Sequence, residues 1–461
     1  MTKLNKIMSV LLTLVFTLLF VSGAAYVLRD KSGEAKLGDF YDDPSDYDVY
    51  IFGSSHAVMG LLPLELWQEE GISSYNFANF GQAIPVDYWV LRNAASVHKP
   101  ELALIDVYTV FFDEKYSHFH MGYLHQSLDT MPWSAIKLRA LKDLLDDGEN
   151  QMEMYMPFSC YHSRWDSLSV DDLKPVEHQL QFGADVNQQL MAQIDGSEVE
   201  PEKLERLTFP FDSYDLLPED DKSMPPEISV EYIRKMIEFC QEEGIEVVLI
   251  SSPLYLTEEQ QRYLNWINDL ATEYHVPFIN GVRCDVVDYR TDMLDSGHLN
   301  SAGAHKWSSY VASYLMENYG LTDHRGDPDY ELFDENLEAQ GRVHDEQLIA
   351  NSSLYGCLVL AADTRYDVAI SIASGSAVYD DDEIRFLINN IVGLDISENE
   401  WENEGEINIA SDADSVLPDV RELEDYDIII RVTDAEGRLI TECSFVSDYN
   451  GMDGFTRIFG Q

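Results

Sequence analysis

Positive charge is what this sequence has least of. Its 461 residues hold 30 lysines and arginines against 84 aspartates and glutamates, a formal net charge of −54. No lysine follows Lys306. A surface this negative repels phosphate backbones, which excludes nucleic-acid binding. Such charge serves solubility first; affinity for cations or basic polymers is the sharper alternative. Cysteine is scarce as well. Cys160, Cys240, Cys284, Cys357 and Cys443 form no Cys-x-x-Cys pair, which removes zinc and thioredoxin-like readings. Their odd number argues for buried free thiols over a disulfide framework, with room for one bridge. Apolar residues are not lacking. At 45% hydrophobic the chain can bury a sizeable core and is not globally disordered. Its length suits two to three domains of about 100–200 residues.

Charge is wholly absent from residues 7–28, a run of 22 residues. At about 1.5 Å per residue, a helix of that length crosses a hydrocarbon core of about 30 Å. A buried soluble helix has no need to be apolar on every face. Lys3 and Lys6 precede the run on a short tail, which the positive-inside rule keeps in the cytoplasm, with the body outside. Small residues at 22–25 leave a cleaved signal peptide as the alternative to an uncleaved single-pass anchor. Both readings export the rest of the chain.

A short polar stalk (29–46) leads into alternating strand and helix signals. Asp48–Gly53, Ser74–Ala78, Leu102–Val107, Glu246–Ser251 and Val276–Asn280 read as strands. Residues 63–70, 85–98, 229–243, 257–274 and 300–318 read as helices. Five short strands alternating with helices predict an α/β domain over 47–322 with a doubly wound parallel sheet, whose sites lie at the strands' carboxyl edge. Residues 112–226 interrupt the alternation and read as a helical insertion. Beyond it, 323–461 reads as a small acidic α+β domain; residues 331–461 carry 30 acidic side chains against seven arginines. Expected strands there are Gly356–Ala362, Asp367–Ser374, Asp427–Val432 and Leu439–Phe445, with a helix at Asp382–Leu394. Acidic clusters such as Asp380–Asp382 lack the spaced ligand loop of a calcium site, so no metal site is expected.

Two short motifs carry chemistry. Phe52-Gly53-Ser54-Ser55-His56 follows the first strand, where a serine can be presented beside free backbone N–H groups. A plain loop is the competing reading. Asp295-Ser296-Gly297-His298 lies between the last strand and the last helix, with Asn300 as the helix N-cap. A serine nucleophile needs a base that titrates near neutrality, and the base needs a carboxylate to hold its tautomer. Ser55, His298 and Asp295 have the right types at the same sheet edge.

These blocks resemble the SGNH (GDSL-type) hydrolase superfamily. The closer likeness is to membrane-anchored SGNH-like proteins of Gram-positive bacteria, carried by FGSSHA at 52–57, KPELALIDVY at 99–108, the run Tyr161–Trp165 and DSGHLNSAGAHK at 295–306. More distantly the chain is similar to the D-alanyl transfer and alginate O-acetylation proteins. The resemblance spans about residues 45–320 and implies a flavodoxin-like α/β/α fold. It implies Ser55 as nucleophile, His298 as base, Asp295 as its partner, and Ser55 and Gly81 as oxyanion donors. No cofactor or metal is implied. The family's third block, Gly-x-Asn-Asp, is missing; the third strand instead runs into Asp106-Val107-Tyr108, so Tyr108 or a residue of the insertion is expected to donate. His56 is a candidate substrate contact or a structural hydrogen bond. His162, Arg164 and Trp165 form a candidate sugar-facing patch, unless Trp165 packs the insertion onto the sheet.

The expected function is therefore an extracytoplasmic serine esterase or O-acyltransferase, with a cell-envelope polysaccharide, a teichoic-acid-like polymer or another acylated substrate as its partner. A catalytically weak or inactive surface binding or assembly factor is the alternative, favoured by the missing third block.

Overall fold

The computed structural model describes residues 3–29, 31, 36–37, 40–41, 46–116, 121–145, 151–155, 158–174, 181–184, 215–289, 292–294, 297–363, 365–412, 415–418, 425–447 and 455–458. Its first element is a helix, Lys3–Leu28, of which Lys6–Leu28 is long and apolar enough to cross a membrane. A signal sequence near the N terminus meets the same two criteria.

Five parallel strands follow: β1 (Val49–Phe52), β2 (Ser74–Asn76), β3 (Leu102–Asp106), β4 (Glu246–Ser251) and β5 (Phe278–Asn280). Their order is β2-β1-β3-β4-β5. Every residue of β1 and β3 is buried, as their unbroken apolar sequences require of strands covered on both faces. Ile51 sits opposite Asn76 of β2 on one side and Leu104 of β3 on the other. The chain leaves β1 in one direction to reach β2 and returns past β1 to reach β3. With right-handed crossovers this puts the intervening helices on opposite faces. Helix Pro63–Glu70 packs with Ser301–Tyr319, and helix Ile84–Val97 packs with Ala135–Leu144 and Glu227–Glu243. The described part of the insertion is helical, with helices Met121–Leu128, Ala135–Leu144, Gln151–Tyr155 and Phe158–Tyr161. Its Phe182 carbonyl accepts from the Asn76 N–H at 2.9 Å, so the insertion also covers the open edge of β2.

A second sheet is antiparallel, in the order β10-β9-β8-β6-β7: β6 (Tyr366–Ile372), β7 (Ile407–Ala410), β8 (Ile428–Asp434), β9 (Leu439–Ser447) and β10 (Phe455–Ile458). It packs over its own apolar core. One expected strand is a helix: Leu354–Ala361 replaces Gly356–Ala362. The segment is apolar throughout, so periodicity did not separate the two states, and the deciding contact is local. Ser353 caps the helix by accepting the Gly356 N–H. Strands β7 and β10, and helix Glu331–Ala350, went unread. In the second core the Cys357 and Cys443 sulfurs lie 3.9 Å apart as free thiols.

Helix Glu331–Ala350 joins the two cores. Its first turn gives Phe333 to the parallel-sheet core, where the ring stacks on Phe182 (centroids 4.0 Å) and Trp67 (4.7 Å). Its last turns give Leu348 to the second core. Twenty residues span about 30 Å, enough to serve both. The Trp67 indole N–H donates to Asp334 at 2.8 Å beside the stack. Truncating Phe333 leaves Trp67 and Phe182 facing a cavity. Phe333→Ala is expected to lower unfolding stability by about 3–5 kcal/mol, measured by urea titration of Trp fluorescence. A loss below about 1 kcal/mol would mean the helix is not held to the body at this point.

Candidate active site

The site begins with a steric constraint at the end of β1. Gly53 has φ +146°, and a Cβ there would fall 2.6 Å from Asp106 Cβ and 3.1 Å from Ala57 Cβ. Only glycine lets the chain pass so close to β3 and turn at once into the short helix Ser55–Gly60. The fully buried Asn76 fastens that helix to β2: its amide donates to the Ala57 and Leu61 carbonyls (2.8 and 2.9 Å) and its oxygen accepts from the Ala78 N–H. Ser55 is thereby the first helical residue at the carboxyl edge of the sheet.

The second component arrives from the loop before helix Ser301–Tyr319. Met293 and Leu299 form a β-bridge, and the Leu294 N–H donates to the His298 carbonyl at 2.8 Å, closing a small hairpin. Its base is nailed down by Asp292, a buried carboxylate that takes two hydrogen bonds from Lys306 (2.7 and 2.8 Å) and one from the Asp288 N–H. Asn300 caps the following helix through the Gly303 N–H, as expected. The hairpin delivers His298 Nε2 to 2.9 Å from Ser55 Oγ. That is hydrogen-bonding distance between a hydroxyl and an imidazole 243 positions apart in sequence. Asp295, the expected carboxylate partner, lies outside the described residues.

His56 is a wedge behind the pair. It is 5% exposed, its Nδ1 lies 3.1 Å from Ser54 Oγ, and its ring is sandwiched between Tyr108 (centroids 3.7 Å) and His298 (4.6 Å, nearly parallel). Of the two roles expected for His56, burial favours the structural one. Gly81 adopts φ +60° in the turn after β2, and a Cβ there would meet the Tyr123 ring at 2.6 Å. Helix Met121–Leu128 of the insertion thus presses on that turn. Tyr108 spends its backbone N–H on Asp106 Oδ1 at 2.7 Å.

Two buried carboxyl groups flank the serine loop, and the sequence reading missed both. Asp87, fully buried on helix Ile84–Val97, accepts from the Gly53 N–H (3.1 Å) and from Gln82 Nε2 (2.6 Å). Asp106 lies against Gly53 from the other side. Burial drives Asp87 well above the usual carboxylate range, and Asp106 adds charge repulsion. Burial alone pushes Asp106 up to about 7, against the lowering effect of the Tyr108 N–H. The only hint in sequence was an acid ending an otherwise apolar strand.

The remaining candidates are elsewhere. His162 is exposed, and Trp165 is 72% exposed, so it does not pack the insertion onto the sheet. Arg164 donates to the Leu28 and Arg29 carbonyls (2.8 and 2.6 Å) and to Asp172 (2.9 Å). It caps the N-terminal helix, whose last carbonyls attract a cation. These residues sit at the end of that helix and are not gathered with Ser55. No protein-family model matches the chain, and no curated protein matches it.

Asp106 makes stability depend on pH. Its folded value near 7 lies above the unfolded value of about 3.9, so the buried acid is tolerated below pH 4 and becomes a growing burden as pH rises to 7. Asp106→Asn keeps an acceptor for the Tyr108 N–H and cannot ionise. The variant is expected to gain stability over wild type at pH 8, on the order of 2–4 kcal/mol, and to match it near pH 4. Urea titrations at both pH values check this. An equal difference at the two would show that Asp106 does not titrate between them.

Proposed function

We propose that this chain is an extracytoplasmic serine esterase or O-acyltransferase of the SGNH type, acting on acylated cell-envelope glycan or a teichoic-acid-like polymer. The observation that carries the reading is the 2.9 Å contact of Ser55 Oγ with His298 Nε2 at the carboxyl edge of a parallel sheet. His298 takes the hydroxyl proton as Oγ bonds to the ester carbonyl carbon. The displaced π pair becomes an oxyanion, met by the Ser55 and Gly81 N–H groups. Collapse expels the alkoxide, which leaves with the proton from His298. Water or a sugar hydroxyl then attacks the acyl-Ser55 carbonyl, passing its proton to His298, and Oγ departs with it. Asp295 takes the role of the carboxylate that holds His298 in the right tautomer. His56, wedged between Tyr108 and His298, fixes the plane of the ring.

The substrate class follows from tethering. An uncleaved Lys6–Leu28 span with a cytoplasmic N terminus leaves the serine close to the outer membrane face, within reach of anchored polymers. Trp165, exposed beside the end of that helix, suits the headgroup region.

One observation favours the second reading, a weak or inactive SGNH-like binding or assembly factor. The Tyr108 N–H is committed to Asp106, so only the hydroxyl of that residue is left to stand in for the missing third-block donor. Losing one such donor costs about 10²–10³ in rate, which leaves a slow enzyme with Ser55 still reactive. The full chain in detergent is expected to be labelled by a fluorophosphonate and to hydrolyse acetyl esters. Ser55→Ala should abolish labelling, and His298→Ala should cut turnover by at least about 10³. Wild type as inert as both variants, on simple esters and on acetylated wall glycan, would leave the binding reading.

A further inference from the structure

The insertion holds a cluster that the serine site does not use. His125 on helix Met121–Leu128, Glu153 on helix Gln151–Tyr155 and Cys160 on helix Phe158–Tyr161 place one potential ligand atom each within 4.8 Å of one another. His125 is 1% exposed. Its Nδ1 is fixed by both oxygens of Asp129 (2.9 and 3.0 Å), while its buried Nε2 has no hydrogen-bond partner among the described residues. A buried ring nitrogen left unsatisfied pays its desolvation without return. Asp129 is itself positioned by the Tyr161 hydroxyl at 3.0 Å.

We propose that His125, Glu153 and Cys160 form a binding site for one divalent transition-metal ion of the zinc class. Nitrogen, oxygen and sulfur donors together suit zinc better than calcium or magnesium, which take oxygen alone. A carboxylate on the far ring nitrogen is the arrangement that orients a ligating histidine and raises its basicity. Tetrahedral ligation at about 2.0–2.3 Å asks the three donors to close from 4.8 Å by about an ångström, a movement of side chains. Water completes the fourth position.

The charges balance. Without an ion, burial pushes the Cys160 thiol up to about 11, and Glu153 and Asp129 add to it, so the sulfur is protonated. Binding forms the metal–sulfur bond, breaks the S–H bond and releases that proton to solvent. A dication then meets thiolate, carboxylate and neutral imidazole, and the ion with its three ligands carries no net charge. Lys137, which reaches the Asp129 backbone, does not compete: its ammonium donates to the Asp129 and Met131 carbonyls. The ion would clip together three helical segments, one of which also holds the serine loop. On helix Met121–Leu128, Tyr123 presses on Gly81, and Ser127 bonds to Gln82, which bonds to Asp87 beneath Gly53. The role is structural and stands whether or not Ser55 turns over substrate.

Cobalt(II) is the probe, because a thiolate ligand gives a sulfur-to-cobalt charge-transfer absorption. The detergent-solubilised full chain should bind one equivalent of Co²⁺ with that band, and Zn²⁺ should displace it. Cys160→Ser should abolish the band, and Cys284→Ser, at the other partly exposed thiol with an acceptor nearby, should leave it intact. Asp129→Asn, which removes only the orienting carboxylate, should weaken Co²⁺ binding about 10–100-fold. Circular dichroism confirms that each variant folds. No band in wild type, or one that survives Cys160→Ser in a folded protein, overturns the site.

Discussion

The close passage of Gly53 over Asp106 is the constraint on which this structure's chemistry depends. β1 is buried on both faces and paired on both edges, so the chain can leave it only at the carboxyl end. The neighbouring strands β2 and β3 diverge there in their onward connections, and this opens the crevice in which doubly wound sheets keep their sites. A side chain at position 53 would collide with β3 and push the Ser55–Gly60 helix outward. With glycine there, the helix start stays over the sheet edge, where the 292–300 hairpin reaches it. The Ser55–His298 contact is therefore a product of backbone proximity before it is a product of side-chain chemistry.

That proximity has a cost in buried acid. Asp87 and Asp106 lie on either side of Gly53, in a chain already carrying −54. Two ionised carboxylates so close in a dry environment would repel strongly, and burial answers this by favouring their protonated forms. Asp87 still serves as an acceptor for the Gly53 N–H, and Asp106 does the same for Tyr108. The loop is thus held by acids acting as hydrogen-bond acceptors, both of them pushed by burial toward the uncharged form.

The parallel sheet was legible because its strands are short apolar runs separated by helical patterns, and the strand and helix limits shifted by only a few residues. Ser55 and His298 were legible because each follows a strand at the same edge. The second sheet was read less well. Leu354–Ala361 is equally apolar in every direction, so only its Ser353 cap separates helix from strand. β7 and β10 are short, partly exposed edge strands with weak alternation. Arg164 and Trp165 looked like ligand-binding residues because guanidinium and indole suit many partners; what distinguishes them is the end of the N-terminal helix, a neighbour more than 130 positions away. The Asp87–Asp106 pair, and the cluster of His125, Glu153 and Cys160, have no spacing signature at all. Each is assembled by tertiary packing.

The insertion is better understood as part of the site than as a cover over it. The edge beyond β3 is taken up by Tyr108, whose ring lies tilted against His56 with centroids 3.7 Å apart. The 79–82 turn also reaches the serine loop: the Asn79 N–H donates to the Gly53 carbonyl at 3.1 Å. That turn is already shaped by the insertion. Asn79 accepts from the Phe80 N–H and its amide lies 3.4 Å from Ser127 Oγ, Ser127 bonds to Gln82, and the Gln82 amide donates to Asp87. A displacement of helix Met121–Leu128 would therefore move Gly81 and the support of Gly53 together. Whatever steadies that helix also sets the geometry around Ser55, through polar groups of the insertion that are distant from the serine in sequence.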